Sequence, residues 1–114
     1  MVTRKNPLKL NSLQLKTLTL LQEIARHPEM ASPVEESGDL MLTHLPHPHG
    51  DHFHVGRAVV AARDATGLHN SAVYVALERK GLVKSHYPAA VVLTAAGRAY
   101  ETGMAEQILH GSDH

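Results

Sequence analysis

Apolar side chains recur along the first third of the chain with a helical rhythm: Leu10, Leu13, Thr17, Leu20, Leu21 and Ile24 share one face. Asn11 stands ahead of that face with Gln14 three residues on, the reciprocal spacing of a capping box. His27 precedes Pro28, which predicts the helix end. Leu15 and Leu18 lie off the main stripe, so the apolar face is wider than a one-sided surface helix needs. That width means either that the helix is buried within its own domain or that part of the face meets a second copy of the chain, and the dimer contact is the favoured expectation. Residues 28–39 read as an acidic loop bearing Pro28, Pro33 and Gly38.

The pattern then shortens. Leu40 to Leu45 predicts a strand, paired with residues 52–55 across a Gly50-Asp51 turn. A second helix is expected from about Arg57 to Thr66, turning Val55, Ala58, Val59 and Ala62 inward and stopping at Gly67. Asn70 is placed to cap a third helix, Ser71 to Lys80. Its buried stripe is read as Val73, Ala76 and Leu77, which leaves Ser71, Tyr74, Val75, Glu78 and Arg79 on the outer face. Two β-branched runs, Leu82-Val83 and Val91-Val92-Leu93, flank a bend at Tyr87-Pro88 and predict a hairpin. Thr94 caps a last helix, expected from Ala95 to about Leu109 and fraying over residues 110–114. Residues 1–9 carry Arg4, Lys5 and Lys9 without a helical period and read as a basic arm.

Composition narrows the class. With 114 residues and 43% hydrophobic content, the chain reads as one domain with one modest core. Aromatics are 4%, so that core must be built from Leu, Val and Ala. No run reaches the roughly 20 apolar residues of a membrane span. The absence of cysteine and of an export signal makes a cytoplasmic location the expectation. Eleven basic and eleven acidic residues cancel, which weighs against nucleic-acid binding unless the charges segregate on the surface.

The order helix, strand, helix, turn, helix, two-stranded wing, helix resembles the winged helix-turn-helix transcriptional regulators, in particular their MarR-like and PadR-like branches. The wording that carries it is Ser71-Ala72-Val73-Tyr74, Leu77-Glu78-Arg79-Lys80-Gly81-Leu82-Val83 and Leu93-Thr94-Ala95-Ala96-Gly97-Arg98-Ala99-Tyr100. The resemblance spans about residues 10–105 in architecture and 66–100 in wording. It implies an α+β fold: a three-helix core with a two-stranded wing, a His-rich hairpin between helices one and two, and a C-terminal helix. It also implies a homodimer on double-stranded DNA. The third helix would read the major groove through Asn70, Ser71, Tyr74, Val75, Glu78 and Arg79. Lys84, His86 and the arm residues Arg4 and Lys5 would hold the backbone or the minor groove. Val75 stands where such helices usually carry a cation, and Glu78 would repel phosphate. A winged-helix module that binds protein rather than DNA is the alternative.

The stretch His44-Leu45-Pro46-His47-Pro48-His49-Gly50-Asp51-His52-Phe53-His54 is the second unusual feature. His47-x-His49-x-Asp51-His52 spells the HxHxDH signature of the metallo-β-lactamase family. That fold needs far more chain than this, so the match is set aside. Three readings stay open. One is a site of another kind for Zn²⁺, Ni²⁺ or Cu²⁺, held by His47, His49, Asp51, His52 and His54. Another is a group of imidazoles that protonate together. The third is a polar hairpin whose histidines bond to their neighbours. Catalysis has little support, because neither a phosphate loop nor a nucleophile elbow is present.

Overall fold

The computed structural model describes residues 6–111, with the side chain of His49 left aside. The first helix, α1 (Ser12–Ala25), begins as the capping box requires: Gln14 N–H donates to Asn11 Oδ1 at 2.8 Å and Asn11 N–H to Gln14 Oε1 at 3.0 Å. Strands β1 (Ala31–Pro33) and β2 (Leu40–Leu42) follow. The His-rich stretch forms β3 (Pro48–His49) and β4 (His52–Val55), and β5 is Ala58–Ala61. Two 3-10 turns, Ala62–Asp64 and Thr66–His69, lead to α2 (Ser71–Arg79). Then come β6 (Val83–His86), β7 (Ala90–Leu93), α3 (Ala95–Ala99), α4 (Ala105–Ile108) and β8 (His110–Gly111).

This is an α+β fold with two antiparallel sheets, ordered β1-β2-β7-β6 and β3-β4-β5-β8. Helix α1 lies between them, packing on the second 3-10 turn, α2, α3, β2, β4 and β7. Its wide apolar face is covered by its own chain: Leu15, Thr17, Leu18, Thr19, Leu20, Leu21 and Ile24 are all buried. The width that predicted a dimer is thus used up inside one copy. Among the described residues, no helix is long and apolar enough to cross a membrane.

Three expected elements change. The helix expected over Arg57–Thr66 is instead β5 and the two 3-10 turns. Ala58 and Val60 are buried while Val59 and Ala61 are half-buried, a period of two rather than 3.6. Gly56, at φ +59, opens a two-residue loop that folds β5 back on β4, so the adjacent valines join a ladder. The expected pairing of 40–45 with 52–55 does not form. Strand β2 lies between β1 and β7 instead, although Gly50-Asp51 does turn the chain, between β3 and β4. The last helix breaks after Ala99. Gln22 Nε2 donates to the carbonyls of Gly97 and Tyr100 at 2.8 Å, and Gly103 takes φ +68, so tertiary bonds interrupt the helical ladder.

The joint between α2 and the wing follows from sequence chemistry. Gly81, at φ +78, stands at C′ of α2. Leu82 N–H donates to Leu77 O at 3.1 Å and Gly81 N–H to Glu78 O at 2.9 Å, the paired bonds of a Schellman end, with Leu77 and Leu82 both buried. Thr94 closes the other end of the wing. Its hydroxyl donates to Gly81 O and accepts from Gly97 N–H, capping α3. Gly67 lets the second 3-10 turn lie against α1, because a Cβ there would overlap the Thr17 hydroxyl.

Candidate nucleic-acid interface

Helix α2 is the only described helix that sits directly between a tight turn and the β6–β7 hairpin, and it is held at both ends. Asn70 Oδ1 accepts from Ala72 N–H at 3.0 Å, and the Schellman end fixes the other terminus. Val73, Tyr74 and Leu77 are buried, while Ser71, Ala72, Val75, Glu78, Arg79 and Lys80 are exposed. Strand β6 packs beside the helix, and its exposed positions are Lys84 and His86. Asn70, Ser71, Val75, Glu78 and Arg79 thus stand at exposed positions of the helix and its cap, and Lys84 and His86 at exposed positions of the strand, on the sheet face that Val92 shares.

Tyr74 is the exception among the expected readers. It is fully buried, and its hydroxyl donates to Leu68 O at 2.6 Å. A tyrosine ring gains far more from burial than the neighbouring Ala76 methyl, provided its hydroxyl finds an acceptor, and Leu68 O supplies one. Burial, with a smaller contribution from Tyr87, pushes the Tyr74 hydroxyl well above its ordinary pKa. Tyr74 is a core residue and not a base reader.

The exposed cations of α2 and β6 are not equivalent. Lys84 Nζ lies 3.6 Å from Asp39 Oδ2, and the same carboxylate accepts from Ala95 N–H through Oδ1 at 2.9 Å. Asp39 thus joins the wing strand to the start of α3. Arg79 and Lys80 are both exposed and make no ion pair among the described residues. Elsewhere Lys16 pairs with Asp64 at 2.8 Å and Arg26 with Glu23 at 3.1 Å. Arg4 and Lys5 lie outside the described residues.

The histidines divide into two groups. His52 Nδ1 approaches Asp51 Oδ1 at 3.3 Å, and the His52 and His54 rings meet edge to face at 5.0 Å. His47 turns away from both and stacks on His69, with centroids 4.9 Å apart and planes 15° apart. His69 Nε2 lies 2.8 Å from Pro46 O. A carbonyl only accepts, so Nε2 carries the proton and Nδ1 is left to accept from the Tyr87 hydroxyl at 3.4 Å. Tyr87 in turn stacks on Tyr74 at 5.2 Å. A ladder of rings thus runs from the core at Tyr74, through Tyr87 at the wing and His69 beside the α2 cap, to His47.

Of the residues expected to hold a metal, His47 thus stands apart from Asp51, His52 and His54, and the His49 side chain lies outside what is described. Among the described residues no three His, Asp or Glu side chains gather as a metal-holding group. His69 was missed because it lacks any periodic signal; its only mark is its place just before the Asn70 cap. Compared with family models, with curated proteins and with solved structures, the chain has no significant match.

Proposed function

We propose that the protein is a winged helix-turn-helix DNA-binding module of transcriptional control, with α2 as the reading helix and β6–β7 as the wing. The observation that carries this reading is a helix fixed at both ends, by the Asn70 cap and the Gly81 end, that runs directly into the β6–β7 hairpin, with Ser71, Arg79, Lys80 and Lys84 at exposed positions. An α-helix fits the major groove, and a helix fixed at both ends presents its exposed face in one orientation. Sheet order β2-β7-β6 behind α1 and α2 supports the same reading. The place of the second helix is taken by the two 3-10 turns, which pack on α1 ahead of the Asn70 cap.

A protein-binding module would be favoured by a contiguous apolar patch on this face. Among the described residues Val75, 45% exposed, is the single large apolar side chain standing out. That favours DNA over a protein partner. With the wide face of α1 covered internally, the reading is of one copy on one stretch of duplex.

The test is fluorescence anisotropy against a pool of random duplex DNA at low and moderate salt. Affinity is expected to fall steeply with salt, and Arg79→Ala with Lys84→Ala should flatten the log–log salt slope by about two. Absence of binding at low salt would overturn the proposal.

A further inference from the structure

On the side of α1 where its last turn meets α3, the surface carries an open cleft of about 590 Å³. Small-molecule sites run from roughly 300 to 1,000 Å³, so this one has room for a ligand of ordinary size. Its apolar wall is Ala25, Ala95 and Ala99 over the buried Leu93, and its lining includes Arg26 and Arg98, with no carboxylate among the lining residues.

Both arginines retain donors to offer. Arg98 donates through one nitrogen to Gly38 O at 2.9 Å, and Arg26 through one nitrogen to Glu23 Oε1 at 3.1 Å. A guanidinium has five N–H donors in a planar fork, so one bond each leaves the fork able to grip a further oxyanion. Glu23 is shared with His27, whose Nε2 lies 3.2 Å from the other carboxylate oxygen. The Arg26 side chain is 76% exposed, which puts it at the mouth of the cleft with the alanines behind. Gln22 does not compete, since its amide nitrogen is used on the Gly97 and Tyr100 carbonyls and holds the α3 side of the cleft in place.

We infer that this cleft between α1 and α3 binds a small organic anion, its charged head on Arg26 and Arg98 and its apolar body against Ala25, Ala95 and Ala99. The pairing follows from complementarity. Arginine forks recognise carboxylate and phosphate oxygens, and an apolar wall next to them rewards a head with a hydrocarbon body over a bare ion. The inference does not depend on the DNA reading, because it uses neither α2 nor the wing hairpin's outer face.

The test is an amide NMR titration of the full chain with octanoate, octyl phosphate, octanol and inorganic phosphate. Octanoate or octyl phosphate should bind saturably, with shifts centred on Ala25, Ala95 and Ala99, and the tighter of the two identifies the preferred head. Arg26→Gln and Arg98→Gln together should weaken that binding by about tenfold or more, a difference well within the reach of a titration. Arg26→Gln alone removes only an exposed side chain and serves where the double variant is perturbed. Arg57→Gln, on the β4–β5 loop, should leave binding unchanged. Octanol binding as tightly as the anions, inorganic phosphate binding as tightly as octyl phosphate, retention of affinity in the arginine variants, or no saturable binding would each overturn the inference.

Discussion

The two sheets follow the same antiparallel rule and end up with different surroundings. In the first, Val91, Val92 and Leu93 of β7 are buried in succession, so its central strand is covered on both faces. In the second, burial alternates: Phe53 and Val55 on β4 and Ala58 and Val60 on β5 face the core, while His54 is exposed and Val59 half-buried. A strand covered on both faces reads as a continuous apolar run, and one covered on a single face reads as alternation. The first sheet holds α2 and the wing in place; the second gives the histidines a solvent-facing side.

The largest expected effect that tests this difference is at the centre of the first sheet. Leu93→Ala should cost about 2–5 kcal/mol, read from the urea midpoint, because the side chain is fully buried in a packed core. A loss under about 1 kcal/mol would place β7 nearer the surface than its burial implies.

Next is Tyr74, the innermost ring of the ladder that ends at the wing. Tyr74→Phe strands the buried Leu68 carbonyl without its donor, and should cost about 1–3 kcal/mol. The same residue sets a pH dependence. Its folded pKa is raised above the ordinary 10.0, so above about pH 10 the unfolded chain releases the phenolic proton while the folded one keeps it. Stability is fully present below that value and is lost as the pH rises beyond it. Alkaline denaturation followed by circular dichroism should show this loss in the parent and a shallower one in Tyr74→Phe.

Asn70→Ala, which removes the α2 cap, should cost about 1 kcal/mol in thermal unfolding. The smallest effect belongs to the second sheet. Val59→Thr, on its half-open face, should change stability by less than about 0.5 kcal/mol. A cost equal to that of Leu93→Ala would erase the contrast between the sheets.

How far each part was legible follows the same division. The α1 cap, the α2 cap at Asn70, the Gly81 end and the β6–β7 hairpin were readable because each rests on contacts within a few residues. Val59 was misread as helical because four apolar residues in a row, Ala58 to Ala61, fit either period; Gly56 at φ +59 decided for a strand. Tyr74 was misread because helical spacing places it at the edge of the buried stripe, and only the Leu68 carbonyl across the turn makes its burial favourable. Of the expected interface, Asn70, Ser71, Val75, Glu78, Arg79, Lys84 and His86 are exposed or cap the helix where the pattern put them, and the pairing of Lys84 with Asp39 was not foreseeable. The Arg26–Arg98 cleft carried no sequence signal, since its two cations are 72 residues apart and line one cleft only because α3 packs on α1.

By itself, then, the sequence determined the α+β class, the limits of α1 and α2, and the hairpin that follows α2. Those depend on caps, glycines and local periodicity, which act over a few residues. Tertiary structure alone decided that the wide face of α1 is covered within one chain, that β2 pairs with β7 across some fifty residues, and that His47 meets His69 rather than His52. Each of these is a choice among partners with similar local propensity, and the free energy that settles it comes from burial and hydrogen bonds made only after the distant segments have met.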